Sequence, residues 1–321
     1  MIISKTPLRI SFIGGGTDHL INERSYGSVI ATSIDKFIYL SLIHNHEKKY
    51  LVNYSLREKV DKIYQIKHPI VRETLKYFKI KNPIEIHVAA DITSRGSGLG
   101  SSGTFSVGLI NLLAQYKKLK LNKYKLAEIA YYLETKKCKN ISGKQDQYQS
   151  AFGGFNQIFF NSDGSVKVQK LQIDANRLKK FEQNLIVFNT NKTRKSTNIQ
   201  KQLTFNRSTR IEFEILNSLL NNFKYELKNG DLDNCGRIMH QAWQIKKKVS
   251  LGATNHLINK FYNTALENGA LGGKILGAGG GGFLLFYCKQ ENQNKLISKL
   301  KNLQKFNFKF HKNGPIIKSV N

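Results

Sequence analysis

Between a short β-type run, Glu85 to Ala90, and an apolar helical repeat from Thr104 to Tyr116, the chain reads Arg95-Gly96-Ser97-Gly98-Leu99-Gly100-Ser101-Ser102-Gly103-Thr104. A strand that empties into such a run and re-emerges as a helix leaves few architectures open. Glycine lets the main chain come close to a phosphate and turn successive N–H groups inward. The helix start adds unpaired donors and the positive end of a dipole. Ser101, Ser102 and Thr104 add hydroxyls for a phosphate or a metal. The segment reads as an anion cradle; the bland alternative is a flexible linker with a serine cap.

Several nucleotide folds use such a cradle. Gly98, Gly100 and Gly103 satisfy G-x-G-x-x-G by letter. A dinucleotide unit would continue into a second strand with an acidic residue about 20 positions on; residues 117 to 125 are lysine-rich instead. A Walker-type loop ends in G-K-[ST], and no lysine stands there. Protein kinases carry H-R-D and D-F-G downstream, and neither triplet occurs.

The remaining pattern is α+β. Strand character marks Leu8–Ile13, Phe37–Ile43, Lys49–Tyr54, Phe155–Phe160, Leu185–Asn189, Lys274–Leu276 and Phe283–Tyr287, with helices over 125–137, 212–227, 232–249 and 257–268. With 321 residues, 40% of them hydrophobic, two domains are expected, divided as 1–182, which holds the phosphate loop, and 183–321. No stretch nears the roughly 18 uninterrupted apolar residues of a membrane span. Met1 to Pro7 show no basic-then-apolar leader, so a cytoplasmic location is expected. Cys138, Cys235 and Cys288 are far apart and read as ordinary thiols. The net charge of +29 suits nucleic acid or anionic small molecules alike. The lysines are dispersed rather than gathered in one aromatic-interleaved block, which favours a solvated surface. His44 and His46 have no third ligand nearby and read as exposed polar residues.

Two further segments complete the picture. Pro7-Leu8-Arg9-Ile10-Ser11-Phe12-Ile13-Gly14-Gly15-Gly16-Thr17-Asp18 lies ahead of the cradle, and Leu276-Gly277-Ala278-Gly279-Gly280-Gly281-Gly282-Phe283 lies near the other end. In this order, with G-L-G-S-S at Gly98 to Ser102, the three segments resemble the motifs of the GHMP kinases, the family of galactokinase, homoserine kinase and mevalonate kinase. The resemblance implies a two-domain α+β fold, an N-terminal α/β domain and a ferredoxin-like C-terminal α+β domain, with the active site in the cleft between them. It implies ATP and Mg²⁺, with ATP held by residues 95 to 104. Ser102 and Glu134 match the family's metal-holding serine and glutamate, hard oxygen ligands suited to Mg²⁺. Asp146, in Gly143-Lys144-Gln145-Asp146-Gln147, matches the catalytic aspartate, and Arg9 the basic residue beside the transferred phosphoryl. Gly15, Gly16, Thr17 and Asp18, with Gly279 and Gly280, would serve the sugar. For Arg95 our own reading is a cation that replaces the absent Walker lysine.

Departures from the family pattern are Gly103, where many members have alanine, and the lack of a proline opening the phosphate loop. Galactokinases carry a Glu-His pair where this chain has Gly15-Gly16. Phe12–Asp18, Ser33–Phe37, Gly143–Tyr148, Ala151–Asn156 and Gly277–Phe286 resemble instead the members of the family that act on heptose phosphates. That likeness implies a small-molecule phosphosugar acceptor, phosphorylated at its anomeric hydroxyl, with no nucleic acid or membrane partner; self-association as a homo-oligomer stays open. A phosphosugar needs a second anion site, and Thr193–Asn198 offers Arg194 and Ser196 at a helix start. Fucose- or mevalonate-type acceptors, and a nucleic-acid-binding relative without activity, are the competing expectations.

Overall fold

The computed structural model describes residues 1–19, 27–92, 96–191, 207–250 and 252–320. Arg95, Arg194 and Ser196 lie outside the described residues.

The first strand, β1 (Ile2–Ile13), sets the plan. Its side chains alternate as the sequence pattern predicts: Leu8, Ile10 and Phe12 enter the main core, and Arg9 and Ser11 line a cavity on the other face. β1 pairs antiparallel with the long β2 (Gly27–His44), whose two halves serve different neighbours. The second half pairs with β5 (Ile84–Ala90) and the first with β6 (Phe155–Phe160). Beyond β5 lie β3 (Tyr50–Asn53), in parallel, and β4 (Arg57–Val60); β7 (Val166–Lys170) extends β6.

Helices α1 (Pro69–Tyr77), α2 (Ser101–Tyr116), α3 (Lys123–Tyr132) and α4 (Gln145–Phe152) cover this sheet. α2 is buried on nearly every face, as its apolar sequence requires of a helix held inside a core. The helix expected over 125–137 is shorter: α3 ends at Tyr132, and Leu133–Lys137 form a π-helical turn.

After α5 (Ala175–Gln183), a second antiparallel sheet is built from β8 (Leu185–Asn189), β9 (Ala270–Ile275), β10 (Phe283–Cys288) and β11 (Gln304–Phe306), in the order β11-β8-β10-β9. Helices α6 (Arg207–Lys228), α7 (Leu232–Val249), α8 (His256–Glu267) and α9 (Gln290–Lys299) accompany it. Its central strand β10 is apolar on both faces. Leu285 and Tyr287 join the main core, and Leu284 and Phe286 a separate cluster with Trp243 and Tyr262. Two final strands, β12 (Phe310–His311) and β13 (Ile316–Ser319), return to the first sheet, pairing with β2 and β1. The polypeptide therefore crosses back over the division expected at 182/183. Among the described residues no helix is long and apolar enough to cross a membrane.

Candidate active site

A cavity of about 290 Å³ opens between β1 and the start of α2 on one side and α6, α7 and the turn at 277–278 on the other. Arg9 and Ser11 line it from β1, Gly15, Gly16 and Asp18 from the adjoining turn, and Gly96, Ser97, Gly98 and Gly100–Gly103 from the phosphate loop and the start of α2. Glu134, residues 140–143, Gln145 and Asp146 form another wall. Phe213, Lys246, Val249, Ser250, Gly277 and Ala278 close it from the far side.

Arg9 ties three segments together. Its Nε and Nη2 donate to Asp146 Oδ1 at 2.8 and 2.6 Å, and Nη1 donates to the Gly98 carbonyl at 2.6 Å. The Arg9 side chain is 3% exposed and that of Asp146 is 29%, so the pair opens to the cavity on the carboxylate side. Oδ1 also accepts from Gln145 Nε2 at 3.0 Å. Oδ2 appears in no hydrogen bond or ion pair among the described residues, which leaves it for a ligand.

The loop's glycines are there for close approach. Gly98 has φ +76° and a Cβ on it would stand 2.3 Å from the Leu276 carbonyl oxygen. Gly100, in the left-handed region, caps α2, so the helix's first N–H groups face the cavity. Ser97 Oγ and Ser101 Oγ are hydrogen-bonded to each other at 2.9 Å. Leu99 and Thr104 turn inward: Leu99 is fully buried in the core, and Thr104 Oγ1 meets Ser150 Oγ at 2.8 Å. Only their main chain is left to serve a nucleotide. A Cβ on Gly103 would lie 2.7 Å from Asp146 Cβ, so alanine here would press on α4.

Ser102 Oγ donates to Glu134 Oε2 at 3.1 Å. Glu134 lies on the π-helical turn and is 1% exposed; such turns gather at functional positions. Burial pushes its carboxyl up to about 7, against the pull of Ser106, Gln147 and Ser102, and nearby Asp146 adds to the rise. Among the described residues no Lys or Arg forms an ion pair with it. A buried carboxylate without a counter-cation, beside a serine hydroxyl, is a donor set that fits Mg²⁺, which needs few protein oxygens and keeps several waters.

Asp18 is docked rather than free. Its Oδ2 accepts from the Gln145 N–H at 3.1 Å, and a Cβ on Gly143 would fall 1.9 Å from that oxygen. Thr17 is buried and donates to the Gly14 carbonyl at 2.8 Å, shaping the turn rather than reaching the cavity. Gly279 and Gly280 sit away from the lining. A Cβ on Gly279 would be 2.4 Å from the Ala253 carbonyl oxygen, and the Gly280 N–H donates to that oxygen at 2.8 Å. Gly277 and Ala278 take the lining positions instead.

Two lysines, Lys246 half-buried and Lys274 buried, escaped the sequence reading. Lys246, on α7, donates to the Gly277 carbonyl at 2.6 Å. Burial, aided by Arg9 and opposed by Asp18, pulls its ammonium down to about 8. Lys274, on β9, is 5% exposed, and burial with Lys246 and Arg9 nearby holds it well below the usual lysine range. Lys246 was hidden as the first of three consecutive lysines. Lys274 had a signal: it is the one charge inside the strand-forming run Ala270–Leu276.

Chemically, the lining suits an anionic ligand: loop N–H groups, the start of α2, Arg9 and Lys246 can meet negative charge, and Asp146 Oδ2 can accept a hydrogen bond. The GHMP kinases N terminal domain matches residues 63–154 and the GHMP kinases C terminal domain matches 223–305. The D-glycero-alpha-D-manno-heptose 7-phosphate kinase of Campylobacter jejuni is 30% identical over 331 residues, covering 98% of this chain and 97% of that protein. The galactokinase of Thermotoga petrophila is 22% identical over 92% of both. In fold, the chain superposes with a TM-score of 0.83 on the crystal structure of a D-glycero-D-manno-heptose 1-phosphate kinase from Bacteroides thetaiotaomicron, at 22% identity over 100% of each chain. The galactokinase of Lactococcus lactis, crystallised with galactose, superposes at 0.75, with 17% identity over 99% and 95%. The chain belongs to the GHMP kinase family. It is a sugar kinase, a phosphotransferase with an alcohol group as acceptor, and ATP is the donor used in that family.

Proposed function

We propose that this kinase transfers the γ-phosphoryl of ATP to the anomeric C1 hydroxyl of D-glycero-D-manno-heptose 7-phosphate, giving the 1,7-bisphosphate for nucleotide-activated heptose in the cytoplasm. The observation that carries the chemistry is the Arg9–Asp146 pair, held within the cavity by the Gly98 carbonyl. The full-length relative from Campylobacter jejuni supports the choice of sugar, as does the absence of side chains at Gly15 and Gly16.

The triphosphate lies along the main chain of residues 96–104, its negative charge met by loop N–H groups and the start of α2. Ser102 and Glu134 would hold Mg²⁺, which would supply positive charge to offset that of the triphosphate. Asp146 receives the acceptor hydroxyl at Oδ2, orients it, and takes its proton as the sugar oxygen bonds to the γ-phosphorus and ADP departs. Arg9 fixes the orientation of Asp146 through two hydrogen bonds to Oδ1 and adds positive charge near the transferring group. Asp18 and the turn from Gly15 to Gly16 face the sugar. The division into units 1–182 and 183–321 is our reading, with residues 310–319 of the second unit returning to complete the first unit's sheet.

The test is an acceptor panel with ATP and Mg²⁺: the heptose 7-phosphate, L-fucose, D-galactose and mevalonate, with the product read by ³¹P NMR. A new anomeric phosphate on the heptose, formed in step with ADP, is the expected result. Turnover of another acceptor with none of the heptose would overturn the assignment.

A further inference from the structure

Gly15 opens a polar niche in the cavity wall. A Cβ built on it would lie 3.5 Å from Gln145 Oε1, 3.7 Å from Lys274 Nζ and 3.8 Å from Ser11 Oγ. Gln145 Oε1 is buried and has no hydrogen-bond partner. Its orientation is fixed, because Nε2 of the same amide donates to Asp146 Oδ1, an oxygen that can only accept. Lys274 forms no ion pair or hydrogen bond among the described residues. A buried acceptor and a buried donor thus both lie on the side of Gly15 where a side chain would project, each lacking a partner among the described residues, and both conditions are costly unless something arrives to fill them.

The pairing selects the visitor. A metal ion would meet the Lys274 ammonium, and a phosphate oxygen would meet the lone pairs of Gln145 Oε1. A hydroxyl satisfies both, accepting from one side and donating to the other. We propose that this niche is a hydroxyl subsite, in which one sugar hydroxyl accepts from Lys274 Nζ and donates to Gln145 Oε1. The Gln145 carboxamide touches the niche with one end and Asp146 with the other, so the hydroxyl held here is the neighbour of the one that reacts. Resting on the function proposed above, that neighbour is the 2-hydroxyl of the heptose.

Gly15→Ala is a clean probe. Gly15 is not among the residues with positive φ, and the added carbon would make contacts of ordinary van der Waals length; it fills the niche without straining the turn. kcat/KM is measured for D-glycero-D-manno-heptose 7-phosphate and its 2-deoxy counterpart with wild type, Gly15→Ala and Lys274→Met. Wild type should prefer the hydroxylated sugar by about 100-fold or more, as sites with buried polar groups reject analogues that leave them unpaired. Both variants should cut that preference to below about tenfold, with KM for ATP little changed. Equal use of the two sugars by wild type, or undiminished preference in Gly15→Ala, would overturn the subsite. If wild type ignores the heptose, the substrate assignment falls alone; the same comparison then runs on L-fucose or D-galactose, whichever it phosphorylates, with each monodeoxy form, and is decided by the same two results.

Discussion

The two glycine-rich stretches that meet at the cavity, one interleaved with serines and the other almost pure glycine, have opposite employment. Residues 96–103 give the cavity its lining almost throughout. Residues 277–282 contribute Gly277 and Ala278, and the rest is structural: Gly279 sits on Ala253, and a Cβ on Gly282 would lie 2.6 Å from the Ser97 carbonyl oxygen. The two touch at Gly98 and Gly277, where a Cβ on Gly277 would be 2.5 Å from Gly98 Cα. Glycine therefore marks close approach in both. Whether a ligand or another main chain approaches is decided by the next element in the chain: the start of helix α2 after the first stretch, strand β10 after the second.

The sharpest way to break this comparison is at the chemistry the first stretch serves. Asp146→Asn should lower kcat by about 10²–10⁴-fold while binding of a non-hydrolysable ATP analogue, measured by calorimetry, is retained. A loss smaller than tenfold would remove Asp146 from the mechanism.

Next in size is the contact between the stretches. Gly98→Ala should cost about 2–4 kcal/mol in thermal or denaturant unfolding, combining left-handed strain with overpacking against Leu276. Gly16→Ala separates the two causes. Its φ is +104° but a Cβ would meet nothing within 4 Å, so only the strain of about 1–2 kcal/mol should appear. Equal losses at the two positions would contradict the claim that the stretches support one another.

Glu134→Gln tests the cradle's metal side. The Mg²⁺ concentration for half-maximal rate should rise at least about tenfold, and the unfolding temperature without metal should hold or rise, since a buried carboxylate has been neutralised. A fall in stability with unchanged Mg²⁺ dependence would make Glu134 a structural residue.

The smallest effect concerns Lys246, which donates to Gly277 and feels Arg9, Asp18 and Lys274. Its folded value of about 8 lies below the usual lysine value of about 10.4. Between these values the unfolded chain holds a proton that the folded chain has released, so this residue makes stability rise with pH there. Lys246→Met should be most stabilising relative to wild type near pH 7, with the advantage fading towards pH 10; an advantage independent of pH would argue against a desolvated charge at this position.

How much of this was legible in the sequence depends on range. β6, β8 and α7 have the predicted bounds because their periodicity is local and uninterrupted. The alternation of β1 also gave Arg9 its side of the sheet. α4, which carries Asp146, is only eight residues long and rich in glutamine, too short and polar for a periodic signal. The Gln145 and Lys274 niche is invisible in one dimension, because its members come together only when β9 is laid beside the turn at Gly15.

β12 and β13 bring residues 310–319 back to Ser33, Ile34 and Ile2–Lys5. The sheet that carries Arg9 can close only after the whole second sheet has been threaded between its strands. Pairings of such sequence separation form slowly, and in vectorial synthesis they wait until residues 310–319 have been made. A nascent chain stalled before residue 310 lacks the strands that pair with β1 and β2 and complete the sheet carrying Arg9.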